Sequence, residues 1–276
     1  MINIKLNIKI VIISIVLSIF MYPRTIEFLA DSIKMNYIAV QLNTTDLQRD
    51  TINIDPEMVK IVIMFDDGWE SVYSNAYKIL EKYNFKASIP IIPSLVDEEE
   101  YMSYKELADL YIQGWDLLNH SYTHKDESYN QPVQLVSDFN KSREWMNNRY
   151  IGNGSDMVVM PYGVINPYLI NKFREEGYRN VRTSDNIILL DKDIIEYYPI
   201  RTINLLTDMK ANEVINILET SEHKTIIFIL HKIEDTKDGY GMTYSKDKFE
   251  QILEYIYNNS EEFQVITYSQ LFKTKG

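Results

Sequence analysis

"IVIMFDDGWES", residues 61–71, sets an apolar run rich in β-branched residues directly against two adjacent carboxylates and a glycine. The run reads as a buried strand, and Asp66 and Asp67 then fall at its C-terminal end, side by side where like charges repel. In a parallel α/β fold that end carries the chemistry. A solvated loop or a helix N-cap would explain an isolated pair of aspartates equally well, so the rest of the chain has to discriminate.

Working outward, short apolar runs alternate with amphipathic windows. "KIVIMF" is a strand, "SVYSNAYKILEKYNF" a helix with Val72, Ala76, Ile79, Leu80 and Tyr83 at helical spacing, and "ASIPII" the next strand. "YKELADLYIQG" predicts a helix stopped by Gly114, "WDLLNHS" a strand, and "QPVQLVSDFNKSREWMNNRY" a long helix whose Pro132 suits its first turn. "DMVVM", "NVRTS", "KTIIFILH" and "FQVITY" read as further strands. "NPYLINKFREEG", closed by Gly177, and "SKDKFEQILEYIYNN", with Ser245 as N-cap, read as helices. Strand followed by helix, repeated with short connections, implies a parallel sheet covered by helices.

The chain of 276 residues is long enough for one large domain, and 45% hydrophobic with 25% charged residues is an ordinary globular composition. A net charge of −12 without a basic cluster argues against a nucleic-acid partner, and the absence of cysteine excludes disulfides and Cys-ligated zinc. At the N-terminus Lys5 and Lys9 precede an uncharged, mostly apolar run from Ile10 to Tyr22. Residues 1–23 therefore read as a signal peptide or an uncleaved signal anchor, with a buried N-terminal element as the plainer alternative. Either export reading places the remainder outside the cytoplasm, secreted or held at the membrane. Residues 24–58 lack strong periodicity and read as a stalk or linker, and the main domain spans 59–276.

The paired carboxylates become intelligible if one binds a metal ion and the neighbour stays ionised as a base. Further ligands are then required, and the chain has four histidines: His120, His124, His223 and His231. His120 and His124 share "NHSYTH" at a predicted strand end. Ser121 stands where the His-Glu metalloprotease motif needs glutamate, so that motif fails. Two histidines entering a turn can still converge with one carboxylate on an ion that keeps open positions. His231 ends "TIIFILH", a third histidine at a strand end, whereas His223 in "TSEHKT" reads as a surface residue. In "VVMPYG" a rigid proline and a permissive glycine expose the Tyr162 backbone N–H for an oxyanion, although a simple turn explains the residues too.

In order and spacing, "MFDDGW", "HSYTH", "MPYG" and "FILH" resemble the motifs of the polysaccharide deacetylases, carbohydrate esterase family 4 with the NodB homology domain. The resemblance runs from about Lys60 to Leu271, and "GYRNVRT" and "YPIRTINL" add to it. It implies a distorted, incomplete (β/α)7-type barrel. It also implies Asp67, His120 and His124 as ligands of a divalent metal, zinc first among zinc, cobalt, nickel, manganese and iron. Asp66 becomes the general base, His231 the general acid, and the Tyr162 backbone N–H an oxyanion donor.

The implied reaction removes N-acetyl groups from an N-acetylglucosamine-containing polysaccharide, either exopolysaccharide or peptidoglycan. Many members open the third motif with an arginine that orients the base. Here that position is Val159, which leaves Arg182 in "VRT" as first candidate to hold Asp66 and Arg201 in "IRT" as second. The fourth motif, an acid and a tryptophan, is not evident, a pattern closer to the exopolysaccharide deacetylases, such as those acting on poly-N-acetylglucosamine, than to chitin-type enzymes. These departures keep a rival open: a surface glycan-binding protein with a degenerate deacetylase fold. Trp69 and the many tyrosines are candidates to stack on sugar rings.

Overall fold

The computed structural model describes residues 53–125, 130–190 and 200–272. The N-terminal signal or anchor segment and nearly all of the stalk lie outside the described residues. Among those described, no helix is long and apolar enough to cross a membrane.

The strands are β1 (Val59–Phe65), β2 (Ser88–Ile91), β3 (Asp116–Asn119), β4 (Gly154–Val159), β5 (Asn180–Arg182), β6 (Ile187–Leu189), β7 (Ile200–Asn204), β8 (Thr225–Leu230), β9 (Lys232–Ile233), β10 (Thr243–Tyr244) and β11 (Phe263–Ile266). The helices are α1 (Tyr77–Lys82), α2 (Tyr104–Ile112), α3 (Pro132–Asn147), α4 (Pro167–Glu175), α5 (Ala211–Thr220) and α6 (Lys246–Asn258). The main sheet runs β6-β5-β4-β3-β2-β1-β8-β7, with β11 pairing the first half of β1. Every pairing within it is parallel except that of β5 with β6. The result is a mixed α/β fold built on a curled half-barrel that does not close, its path ending at β6 and β7.

The alternation of side chains along each strand builds a core on each face of the sheet. Ile61, Ile63 and Phe65 of β1 face the helices together with Ile226, Phe228 and Leu230 of β8. Val62 and Met64 of β1, Leu118 of β3, Met157 and Val159 of β4, and Ile227 and Ile229 of β8 fill the inside of the curl. Each buried aliphatic side chain contributes roughly 1.5–3 kcal/mol, so this register is strongly specified: a slip of one residue would bring every side chain to the wrong face.

Local signals start the helices. Ser103 caps α2 in a reciprocal box with Glu106, Asn166 caps α4 ahead of Pro167, and Ser245 accepts from the Lys248 N–H at the start of α6; such caps are worth about 1 kcal/mol each. The helix expected over 71–85 begins as a π-helical turn, Val72–Ala76, before α1. Five elements had no clear signal in the sequence: the antiparallel return β6, the edge strand β7, the two-residue strands β9 and β10, and helix α5. The four strands are short, so they lack a long apolar run.

Candidate active site

The inward face of the sheet positions the site. Continuing the alternation by two residues beyond Met64, Leu118 and Ile229 brings Asp66, His120 and His231 to the interior at the C-terminal ends of β1, β3 and β8. Arg182 closes β5 on the same face, its neighbour Val181 being packed outward. Together with Asp67, His124, Tyr162, Gly163, Ser184, Asn204 and Met242, these residues line one open cleft of about 190 Å³.

Asp67, His120 and His124 form a cluster whose ligand atoms all lie within 4.8 Å of one another. His120 Nε2 and His124 Nε2 stand 3.3 and 3.4 Å from Asp67 Oδ1. His120 is 2% exposed, and its Nδ1 lies 2.8 Å from the Val159 carbonyl oxygen. That contact assigns the proton of the neutral ring to Nδ1 and leaves the Nε2 lone pair facing Asp67. Asp67 uses its other oxygen, Oδ2, to accept from the Trp69 indole N–H at 3.1 Å, so Oδ1 is a buried carboxylate oxygen with no hydrogen-bond partner.

Three acceptor atoms turned towards one another fit a cation: the donor set, one carboxylate and two imidazoles, suits a divalent transition metal with room for further ligands. Trp69 is correspondingly engaged. Tyr101 stacks on its ring at 4.3 Å and the Lys232 ammonium lies 3.9 Å from its centroid, so this indole braces the site and is not free to stack on a sugar, contrary to the expectation from sequence.

Backbone conformation makes the convergence possible. Asp67 (φ 77°) and Gly68 (φ 83°) turn the chain sharply after β1, and Ser121 (φ 62°) and His124 (φ 55°) do so after β3. The Ser121 hydroxyl accepts from the His124 N–H at 2.9 Å. Asp138 on α3 gathers the rest of that turn, one of its oxygens accepting from the Tyr122 N–H, the Thr123 N–H and the Thr123 hydroxyl. Asp138 was not anticipated; an acid in the middle of a helix carries no signal of its target.

The electrostatics agree with a ligand cluster. Burial works against the charge on Asp67, but the close approach of the His120 ring, with His231 and His124 beyond it, outweighs burial and holds the carboxyl well below the ordinary carboxylate range. Burial, then the neighbouring His120, lowers the His124 imidazole to about 4 against the pull of Asp67 and Asp66. It is therefore neutral, with a lone pair to give, at physiological pH.

Asp66, 5% exposed, receives the Arg182 guanidinium on both of its carboxylate oxygens. Arg182 is itself 2% exposed, so the two charges compensate each other out of water. Arg201, the other candidate, is on β7 and is absent from the cleft lining; His223, in the loop before β8, is absent from it too. Tyr162 adopts φ 59°, ψ 5° in the turn Pro161–Gly163, with its ring 4.9 Å from that of His124.

Comparison with known proteins gives a consistent picture. Residues 54–181 match the model of the family described as polysaccharide deacetylase. A poly-β-1,6-N-acetyl-D-glucosamine N-deacetylase of Staphylococcus aureus is 30% identical over 131 residues, 42% of this chain and 45% of that protein. The chain thus spans less than half the length of that curated relative. Among solved structures, the peptidoglycan deacetylase PdaC from Bacillus subtilis superposes with a TM-score of 0.52 at 19% identity, over 79% of this chain and 92% of that one. A family 4 acetyl xylan esterase from Clostridium thermocellum, solved with a cobalt ion, superposes with a TM-score of 0.53 at 16% identity, over 77% and 90%. At these identities the structural likeness concerns the fold.

Proposed function

We propose that the chain, whose residues 54–181 match the polysaccharide deacetylase family model, is a metal-dependent hydrolase removing N-acetyl groups from N-acetylglucosamine residues of an extracellular or cell-wall polysaccharide. The observation that carries the proposal is the meeting, in one cleft, of a three-ligand cluster with a carboxylate held separately by an arginine and a histidine from a third strand end.

Each part answers a need of amide hydrolysis. Asp67, His120 and His124 would hold a divalent ion, which would supply the Lewis acidity that an acetamide carbonyl and a water nucleophile need; zinc, cobalt, nickel, manganese and iron all suit such ligands. Asp66, aimed by Arg182, takes the proton of the attacking water. The Tyr162 backbone N–H faces the developing oxyanion. His231 protonates the nitrogen as the carbon–nitrogen bond breaks, because an amine leaves only in protonated form.

The cleft, at about 190 Å³, lies below the roughly 300–1,000 Å³ that encloses a whole small ligand. It takes the acetamido arm of a sugar whose chain runs across the open surface, which favours a polymer. Poly-β-1,6-N-acetyl-D-glucosamine as the substrate follows the Staphylococcus relative, and action outside the cytoplasm follows the reading of residues 1–23. The binding-only alternative drew on the missing arginine at Val159 and on the missing fourth motif, and the first of these motives weakens once Arg182 takes the place of that residue beside Asp66. Acetate release from poly-N-acetylglucosamine oligomers and from peptidoglycan fragments, with each metal added in turn, is the test. Release from the first and not the second identifies exopolysaccharide as substrate, and release from neither with any metal overturns the proposal.

A further inference from the structure

The open edge of the half-barrel carries a hydroxyl that the reaction scheme leaves unused. Thr202 is on β7, one end of the sheet path, and its Oγ1 donates to the Ser184 carbonyl oxygen at 2.9 Å. Ser184 belongs to the turn between β5 and β6, the other end of the path. The hydrogen bond therefore spans the seam where the barrel fails to close.

What Ser184 touches gives the bond its interest. Its N–H donates to the Gly163 carbonyl oxygen at 3.3 Å. A Cβ placed on Gly163 would meet Ser184 Cβ at 2.6 Å and Ser184 N at 2.7 Å, so the Pro161–Gly163 turn is seated directly against Ser184. Two residues earlier on the same strand end is Arg182, which holds Asp66. Thr183 stiffens the segment between them: its hydroxyl accepts from the Asp185 and Asn186 N–H groups and donates to the Asn186 carbonyl. One short stretch, Arg182 to Ser184, thus governs both the base and the turn that presents the Tyr162 N–H. Thr202 pins it from across the seam.

We propose that Thr202 is a positioning residue, acting through Ser184 to fix the Tyr162 amide and the Arg182 guanidinium relative to each other. It is absent from the residues lining the cleft, so it acts without touching substrate. The proposal rests on the deacetylase reading for its kinetic consequence but not for its structural one. A displaced rather than deleted oxyanion donor costs less than the roughly 10²–10³-fold of outright removal, and small misplacements far from the chemistry are felt in turnover.

The experiment compares Thr202→Val, which keeps the shape and removes the donor, with Thr202→Ser, which restores it. In the metal-loaded full chain, Thr202→Val is expected to lower kcat about tenfold with KM and metal affinity unchanged, and Thr202→Ser to recover most of it. Independently of activity, amide hydrogen exchange across residues 162–164 is expected to accelerate in Thr202→Val and to return in Thr202→Ser. Unchanged exchange in Thr202→Val overturns the proposal, as does a kcat loss that Thr202→Ser fails to recover or that comes with weakened metal binding. Failure of the unsubstituted chain to release acetate counts against the deacetylase reading instead, and the exchange measurement then still decides the role of Thr202.

Discussion

Val159 and Arg182 are register partners across β4 and β5, and the guanidinium that holds Asp66 comes from the second of them. Placing an arginine at 159 or at 182 therefore starts from neighbouring points on one inward-facing row. Arg182→Val is expected to lower kcat by about 10²-fold or more and to cost roughly 3–5 kcal/mol of stability, because a buried carboxylate loses its partner. Adding Val159→Arg to that variant is expected to restore part of both, measured as acetate release and as the thermal midpoint. A double variant no better than Arg182→Val would show that the two positions are not interchangeable.

The division between the two carboxylates predicts separable defects. Asp66→Asn is expected to reduce turnover by about 10²–10⁴-fold while metal content stays at the unsubstituted level. His120→Ala or His124→Ala is expected to lose the ion along with activity. Elemental analysis of dialysed protein beside an acetate assay distinguishes these outcomes.

Trp69 is held between Tyr101 and Lys232 and donates to the spare oxygen of Asp67. Trp69→Phe removes that hydrogen bond and keeps an aromatic ring. Metal affinity, read by competition with a chromophoric chelator, should fall about 10–100-fold, the usual effect of losing a partner behind a ligand.

Gly163 has φ 69° and no room for a side chain beside Ser184. Gly163→Ala is expected to displace the Tyr162 N–H and lower kcat by about tenfold or more, with metal content unchanged. Tyr162→Gly keeps both the N–H and the left-handed conformation, so it should retain kcat to within about tenfold; a larger loss would assign the catalytic weight to the phenol ring instead.

Removal of the metal should lower the thermal midpoint in proportion to how tightly the native cluster binds it, since only the folded chain assembles the three ligands. Asp67 Oδ1 would then be left buried without a partner. Titrating metal back into chelator-treated protein should restore the midpoint. A midpoint indifferent to chelator and to every divalent ion would count against a metal site here.

Much of this arrangement was legible in the sequence because apolar runs of β1, β3 and β8 end abruptly in Asp66, His120 and His231, and a strand end is where a parallel fold opens. Arg182 could be named as a candidate from its place on a predicted strand, yet its choice over Arg201 depended on register, which is a property of paired strands. Asp138 and Thr202 were illegible for a similar reason: each acts at a distance in sequence, on the His124 turn and on Ser184, with a side chain common on any surface. The role expected for Trp69 failed because its neighbours Tyr101 and Lys232 arrive from 32 and 163 residues away in the chain.

The left-handed backbone at Asp67 has a consequence for the adjacent acids. In an extended strand, consecutive side chains project to opposite sides, so Asp66 in the cleft would ordinarily send residue 67 among the helices. The chain changes hand between them, and two neighbours that should part company end up facing the same space. Aspartate tolerates that conformation far better than a β-branched residue. A substitution such as Asp67→Val would thus erase a ligand and also unbend the corner, letting the end of β1 straighten and turning the pair of acids back into an ordinary strand terminus.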